Sequence, residues 1–316
     1  MSQRFDVVGF GICTVDFLGL VADYPAPDQK VKMQAFSKQG GGLTGTALAA
    51  AGRLGARVGY LGKLGTDEYS TFLLDEFRKD RVDVSHTMID PHVGPPLSFI
   101  HVEKGTGERR ITWHWDEFEI PPEEIDRQLI QNARILFLDH FHVKAGCAAA
   151  DWIHESGGQV LVDAERMAHG FVHVLRRADF IISSRKFAEA LTDSHNPEQS
   201  VRRLHRQLGG TVVVTAGENG AYCKATDQEF HQPAFKVDVV DTTGAGDVFH
   251  GAFMAGLARD WPLPQILEFA SAVAALKCRS LGGREGIPTM DETLTFLKEK
   301  DTTDFSKSLM PTIHNP

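Results

Sequence analysis

The sequence predicts an α/β protein: an open, mostly parallel sheet covered by helices, with a small β-sheet lid. Two observations predict it. Short apolar runs alternate with helix-patterned segments along most of the 316 residues. Two other segments, Leu18 to Ser37 and Leu97 to Trp115, read as strands with no helix between them. Runs that are apolar on both faces suit buried parallel strands, and their alternation with helices implies right-handed crossovers. A chain that is 42% hydrophobic can bury a large core. We expect one domain over 1–298, with lid strands inserted at about 17–38 and 96–116, and a loose polar tail over 299–316.

In chain order, Val7-Val8 starts the first strand. The glycine turn Gly40-Gly41-Gly42 opens a small-residue helix running to Leu54. Val58 to Leu61 is the next strand, within the glycine-rich stretch Gly59 to Asp67, and Tyr69 to Lys79 is a helix. Phe99 to Glu103 and Arg110 to His114 alternate around Lys104-Gly105-Thr106-Gly107, a hairpin pattern. Strands at Ile135 to Leu138, Val160 to Val162, Phe180 to Ile182 and Val212 to Val214 then alternate with helices such as Lys144 to Glu155 and Pro197 to Leu208. The runs end in Gly11, Asp139, Asp163, Ser183 and Thr215. Strand C-termini of open α/β sheets line the ligand crevice, so these residues face one site. A lid over that crevice would exclude water; a surface hairpin used for dimerisation is the alternative, and the two are compatible.

Bulk properties exclude several functions. A net charge of -9 with no Lys/Arg run argues against nucleic-acid binding. Four cysteines far apart read as thiols of a reducing compartment. The N-terminus lacks a basic n-region and no apolar run is long enough to span a bilayer, so a cytoplasmic protein is expected.

The chemistry concentrates in Asp241-Thr242-Thr243-Gly244-Ala245-Gly246-Asp247, which runs into an apolar helix. Glycines let backbone approach a ligand closely, and the amides of a helix start face an anion. Asp247 beside them can orient or deprotonate a hydroxyl, although the helix dipole should make it a weak base. The pairing suggests phosphoryl transfer to an alcohol; an ordinary glycine turn before a helix reads the same. Asp16, after the first strand, can accept two sugar hydroxyl bonds. Thr215-Ala216-Gly217-Glu218-Asn219-Gly220 suits a turn beside a nucleotide. Gly9-Phe10-Gly11 does not make a dinucleotide site, because Thr14 stands where a third glycine belongs and Asp16 follows too soon. His140-Phe141-His142 with His114 lacks a Cys or carboxylate at zinc spacing and reads as polar lining.

Gly40 to Asp67 resembles the first signature of the ribokinase-like (PfkB) carbohydrate kinases, Asp241 to Asp247 their second, and Thr215 to Gly220 their nucleotide-site turn. The motifs occur in the family's order over roughly residues 5–298. His231 to Ala252, Val273 to Cys278 and Gly282-Gly283-Arg284 are most similar to bacterial sulfofructose kinases, and ketohexokinases are more distant relatives. The resemblance implies a ribokinase-like three-layer sandwich, ATP and Mg2+ as cofactors, a sugar substrate and a homodimer through the lid. It casts Asp247 as catalytic base and Gly244, Ala245 and Gly246 as the anion hole. Asp16, Gly41, Gly42 and Thr44 would hold the sugar, with Lys30, Trp113 and Phe141 toward its tail. Thr215, Gly217, Gly220, Thr243 and Cys278 would contact the nucleotide. Asp241, Thr243, Lys277, Ser280, Gly282 and Gly286 would surround a monovalent cation, K+, where the family has one.

Three positions depart from the family pattern. Gly40-Gly41-Gly42-Leu43-Thr44 stands where many members have Gly-Gly-Asn and a second Asn on the following helix, so side-chain amides that bind sugar hydroxyls are missing. Ser184-Arg185-Lys186-Phe187 replaces the Asn-x-x-Glu metal motif, with Glu189 out of register, so the protein ligand of Mg2+ is unassigned. Trp113 and Phe141 stand where an anionic sugar tail needs donors; Arg109, Arg110 and Lys144 are nearby in sequence. The acceptor is thus a ketohexose or modified sugar, with a nucleoside kinase or a catalytically silent sugar sensor as alternatives.

Overall fold

The computed structural model describes residues 5–300. From the start, β1 (Phe5–Phe10), β2 (Thr14–Val21) and β3 (Ala35–Gly41) lead to α1 (Leu43–Arg53), β4 (Val58–Leu61), β5 (Lys63–Leu64), α2 (Glu68–Lys79), β6 (Val82–Asp83) and β7 (Met88–Ile89). The hairpin β8 (Leu97–Glu103) and β9 (Arg109–His114) follows. Then come α3 (Arg127–Gln131), β10 (Ala133–Leu138), α4 (Val143–Glu155), β11 (Gln159–Ala164), α5 (Val172–Leu175), β12 (Phe180–Ser184), α6 (Arg185–Thr192) and α7 (Pro197–Leu208). β13 (Thr211–Thr215), β14 (Ala221–Lys224), β15 (Glu229–Gln232), α8 (Ala245–Leu257), α9 (Leu263–Lys277) and α10 (Met290–Glu299) complete the chain.

Nine strands form the main sheet in the order β15-β14-β13-β12-β11-β10-β1-β4-β6. Strands β13 to β6 in that order pair in parallel, and β14 and β15 add an antiparallel edge. Successive residues alternate sides. Val7, Ile135, Leu161 and Val213 pack with the layer containing α1, α8 and α9, while Val8, Leu136, Val160 and Val212 pack with that of α4 and α7. The three layers follow from strands apolar on both faces. The helix α7 starts at Pro197 behind the cap Asn196, whose side chain accepts from Gln199 N. The edge strands β14 and β15 escape sequence detection because they are short and only half apolar.

The segments expected to form the lid make one sheet of order β3-β2-β8-β9. It joins the two inserted segments by parallel pairing of β2 with β8. Its own core is small: Leu18, Ile100 and Val102, capped by Leu20 and Leu281. The expected tail falls largely on 301–316, outside the described residues.

Candidate active site

The site begins where α8 starts. Gly244, at φ 72°, lies so close to the following loop that a Cβ would stand 2.8 Å from Gly283 Cα. Its carbonyl accepts from Val248 N at 2.9 Å, and the Ala245 amide bonds back to Thr242 O at 3.2 Å. Of the expected anion-hole amides, that of Ala245 is therefore engaged. Gly246 and Asp247, second and third in the helix, have no carbonyl of their own helix to bond. Open space lies over Gly246.

Asp247 is half-buried in that first turn. Ligand-type atoms of Asp163, Asp247 and His250 lie within 4.8 Å of one another. Asp163 is at the end of β11, and its Oδ2 is buried without a hydrogen-bond partner. His250 sits one helical turn after Asp247; Nδ1 meets Gly246 O at 2.6 Å and Nε2 meets Ile182 O at 3.4 Å. Burial lowers the His250 pKa to about 4, so the ring is neutral at physiological pH. Burial pushes Asp247 well above the usual carboxylate range, and Glu165 adds to the effect. Burial and then Asp247 itself do the same to Asp163. Desolvation and neighbouring carboxylates thus act on Asp247 against the helix-end field that would lower its pKa.

On the acceptor side, Asp16 is buried in β2 with Oδ1 receiving the Thr14 hydroxyl at 2.7 Å. Its charge adds, after burial and Glu165, to the rise in the Asp247 pKa. The lid register aligns Asp16 with Ser98 and Ser98 with Trp113. Paired residues share a face, so Trp113 stands on the Asp16 face of the lid, nearly half exposed at 46%. Arg109 lies two pairs further along that face and reaches the Thr242 hydroxyl at 2.8 Å. Arg110 points the other way and covers the Tyr24 ring at 3.9 Å.

Other expected sugar contacts are less direct. Gly42 caps α1 at φ 82°, and Thr44 spends its hydroxyl on Asp139 Oδ2 at 2.8 Å. Asp139 also receives Ile12 N and Phe141 N, and burial raises its pKa to about 6. Phe141 packs edge-on against Trp115. Lys30 is exposed in the β2–β3 connection, and Lys144 is exposed on α4. Buried His140 and His142 both have their pKa lowered to about 4, so they line the end of β10 as neutral rings.

On the opposite side, Thr215 donates to Ser183 O at 3.2 Å. A short 3-10 turn, Gly217–Asn219, follows, with open space around Gly217. Gly220 is fixed for another reason, since a Cβ would stand 2.0 Å from Gln232 O of β15. Cys278 O receives Val240 N, holding the 278–286 loop against the α8 approach. Asp241 Oδ1 accepts Thr243 N and Oγ1, and Oδ2 accepts Gly282 N at 2.7 Å. The carbonyls of Asp241 and Thr243 both receive Lys277 Nζ. Ser280 N bonds Lys277 O at 3.2 Å, and a Cβ on Gly286 would crowd that same carbonyl at 2.6 Å. Ser184, in the place of the lost metal motif, caps α6, and Glu189 pairs with Arg185 and His195. A cavity of about 660 Å³ between this loop and α10 is not lined by Asp16 or Asp247.

Two helix-start amides without helical partners and the carboxylates of Asp247 and Asp163 stand together at the C-terminal end of β11. A family model for pfkB family carbohydrate kinases matches residues 4–290. The chain belongs to this family. It is therefore an ATP-dependent sugar kinase, a phosphotransferase with an alcohol group as acceptor. It is 28% identical to a probable fructokinase-2 of Arabidopsis thaliana, covering 92% of this chain and 95% of that protein. It is 24% identical to a 5-dehydro-2-deoxygluconokinase of Clostridium botulinum, covering 95% of this chain and 94% of that one. A putative ribokinase from Agrobacterium tumefaciens superposes with a TM-score of 0.85 at 26% identity, over 94% of this chain and 99% of that one. A putative ribokinase II from E. coli in complex with ATP and Mg2+ shares the fold with a TM-score of 0.81 at 20% identity, over 93% of this chain and 99% of that one. No helix among the described residues is long and apolar enough to cross a membrane.

Sequence reasoning missed several parts of this kinase site. Arg109 was one cation among three, and only the strand register separates it from Arg110. The sequence places Asp163 only as one of several strand ends facing the crevice, and His250 carries no signal beyond its spacing from Asp247. Gln39 on β3 also went unnoticed, although its Oε1 accepts Arg284 N and Glu285 N and ties the lid base to the 278–286 loop.

Proposed function

We propose that this kinase transfers the γ-phosphoryl group of ATP to a hydroxyl of a ketohexose-type or modified sugar. Asp247 acts as base, and the α8 start over Gly244–Asp247 acts as anion hole. The observation that carries the reading is the placement of Asp247 directly beside two helix-start amides without helical partners, with open space over Gly246. Asp16 and the Gly41-Gly42 turn hold the sugar, and Trp113 offers an apolar wall for its ring face. As the hydroxyl oxygen bonds phosphorus, Asp247 takes its proton and ADP leaves with the bonding electron pair. The amides of Gly246 and Asp247 face the charge on the transferred group, with Arg109 at the rim. The nucleotide lies between the Thr215–Gly220 turn and the loop after Cys278.

Mg2+ fits the same space. The partnerless Asp163 Oδ2 is a hard donor that suits it. It would hold the ion, which offsets phosphate charge when bound. A homodimer through the lid belongs to this reading as well, supported by exposed Phe36 and Phe99 on the outer lid face. Four unpaired cysteines support a reducing, cytoplasmic setting.

The test is ADP release with ATP and Mg2+ against ketohexoses, their 6-sulfonated and phosphorylated relatives, adenosine and inosine. Turnover on a sugar supports the proposal, and turnover only on a nucleoside replaces the substrate class. Sugar binding without any ADP release would make the protein a sensor.

A further inference from the structure

The loop expected to cradle a monovalent cation already contains a cation of its own. Lys277, the last residue of α9, is fully buried. Its Nζ donates to Asp241 O at 3.0 Å and, still closer, to Thr243 O. Those two carbonyls belong to the residues that would have to bind K+. The Asp241 carboxylate is committed as well, with three donors from Thr243 and Gly282 on its two oxygens. The Lys277 carbonyl is taken by Ser280 N. An ammonium has the charge of K+ and a similar size, and it offers three donors to oxygen ligands. A second cation on the same carbonyls would meet its repulsion without a free ligand to offset it. The residues present therefore do not fit K+.

We infer that Lys277 is a tethered replacement for a monovalent cation, holding the Asp241–Thr243 turn under the α8 anion hole and making catalysis independent of K+. The inference rests on the sugar-kinase reading for its effect on rate. Lys277 binds the carbonyl of Thr243, the residue immediately before the Gly244 cap, so its charge lies at the base of α8. A helix-start amide pair and a fixed positive charge below it then act on the same anion.

The test compares wild-type and Lys277→Ala enzymes in KCl, NH4Cl and tetramethylammonium chloride at matched ionic strength. Wild-type turnover should change less than about twofold among the salts, whereas the variant should lose at least about tenfold in tetramethylammonium and recover part of it in K+ or NH4+. Thermal midpoints give a readout independent of activity: K+ should stabilise the variant relative to tetramethylammonium and leave the wild type unmoved. K+ activation or K+-specific stabilisation of the wild type overturns the inference, as does a variant with full activity in tetramethylammonium. If Lys277→Ala does not fold, the wild-type measurements decide alone. If no salt supports turnover, the kinase reading fails, and the wild-type midpoints still report on the cation.

Discussion

The carboxylate of Asp16 rests directly on Gly41, where a Cβ would stand 2.1 Å from Oδ2. With the Thr14 hydroxyl on Oδ1, this contact fixes the group proposed to grip the sugar. Gly41→Ala should displace it, raising the sugar KM at least about tenfold with little change in affinity for a non-hydrolysable ATP analogue. Steady-state kinetics and calorimetric titration of the analogue check this, and an unchanged KM would remove Asp16 from the grip.

Asp247→Asn keeps the shape of the side chain and removes the proton acceptor. We expect kcat to fall at least about a hundredfold while nucleotide affinity is retained. Activity above that residue of wild-type rate would reassign the base.

The acid limb of the rate profile should report the same carboxyl. Asp247 works ionised, and burial with Glu165 raises its pKa. Turnover should therefore increase with pH through an inflection above the ordinary carboxylate value of about 4. A plateau reaching down to that value would show that the bound substrates erase the shift.

Stability should respond in the opposite sense. Asp163 and Asp247 bind protons more tightly folded than unfolded, so their contribution favours folding at low pH and is lost as pH rises above the unfolded carboxylate pKa. Asp163→Asn should melt higher than wild type at about pH 8, with the gain shrinking toward about pH 4. Thermal unfolding at both values tests this, and a variant less stable at the higher pH refutes it.

Arg109 and Arg110 are neighbours in sequence on opposite faces of β9. Arg109→Ala should lower kcat/KM about tenfold, because it removes the cation beside Thr242, whereas Arg110→Ala should stay within about twofold. Equal effects would show that the lid face does not separate their roles.

The main sheet was legible because its strands are apolar on both faces, as in Val58–Leu61, and because α7 carries both an N-cap and Pro197. The catalytic helix start was legible from Gly244, Gly246 and Asp247 together. Its electrostatics were not. The proton affinity of Asp247 depends on Glu165 and Asp16, which approach it only through strand ends distant in the chain. Lys277 stands in the expected cation loop, but a sequence does not reveal that its side chain folds back to the carbonyls of Asp241 and Thr243.

The parallel pairing of β2 with β8 has a consequence for how the molecule assembles and opens. Between the two strands run α1, α2 and four strands of other sheets, so the lid closes through contacts far apart along the chain. Such pairings form late, after local helix and strand units. Three buried aliphatic side chains, at about 1.5–3 kcal/mol each, hold the lid's own core together. The lid should therefore be a separate cooperative unit that unravels at lower free energy than the main sheet. Amide hydrogen exchange would show β2, β8 and β9 exchanging ahead of β10 and β11, and a bound sugar would close that gap.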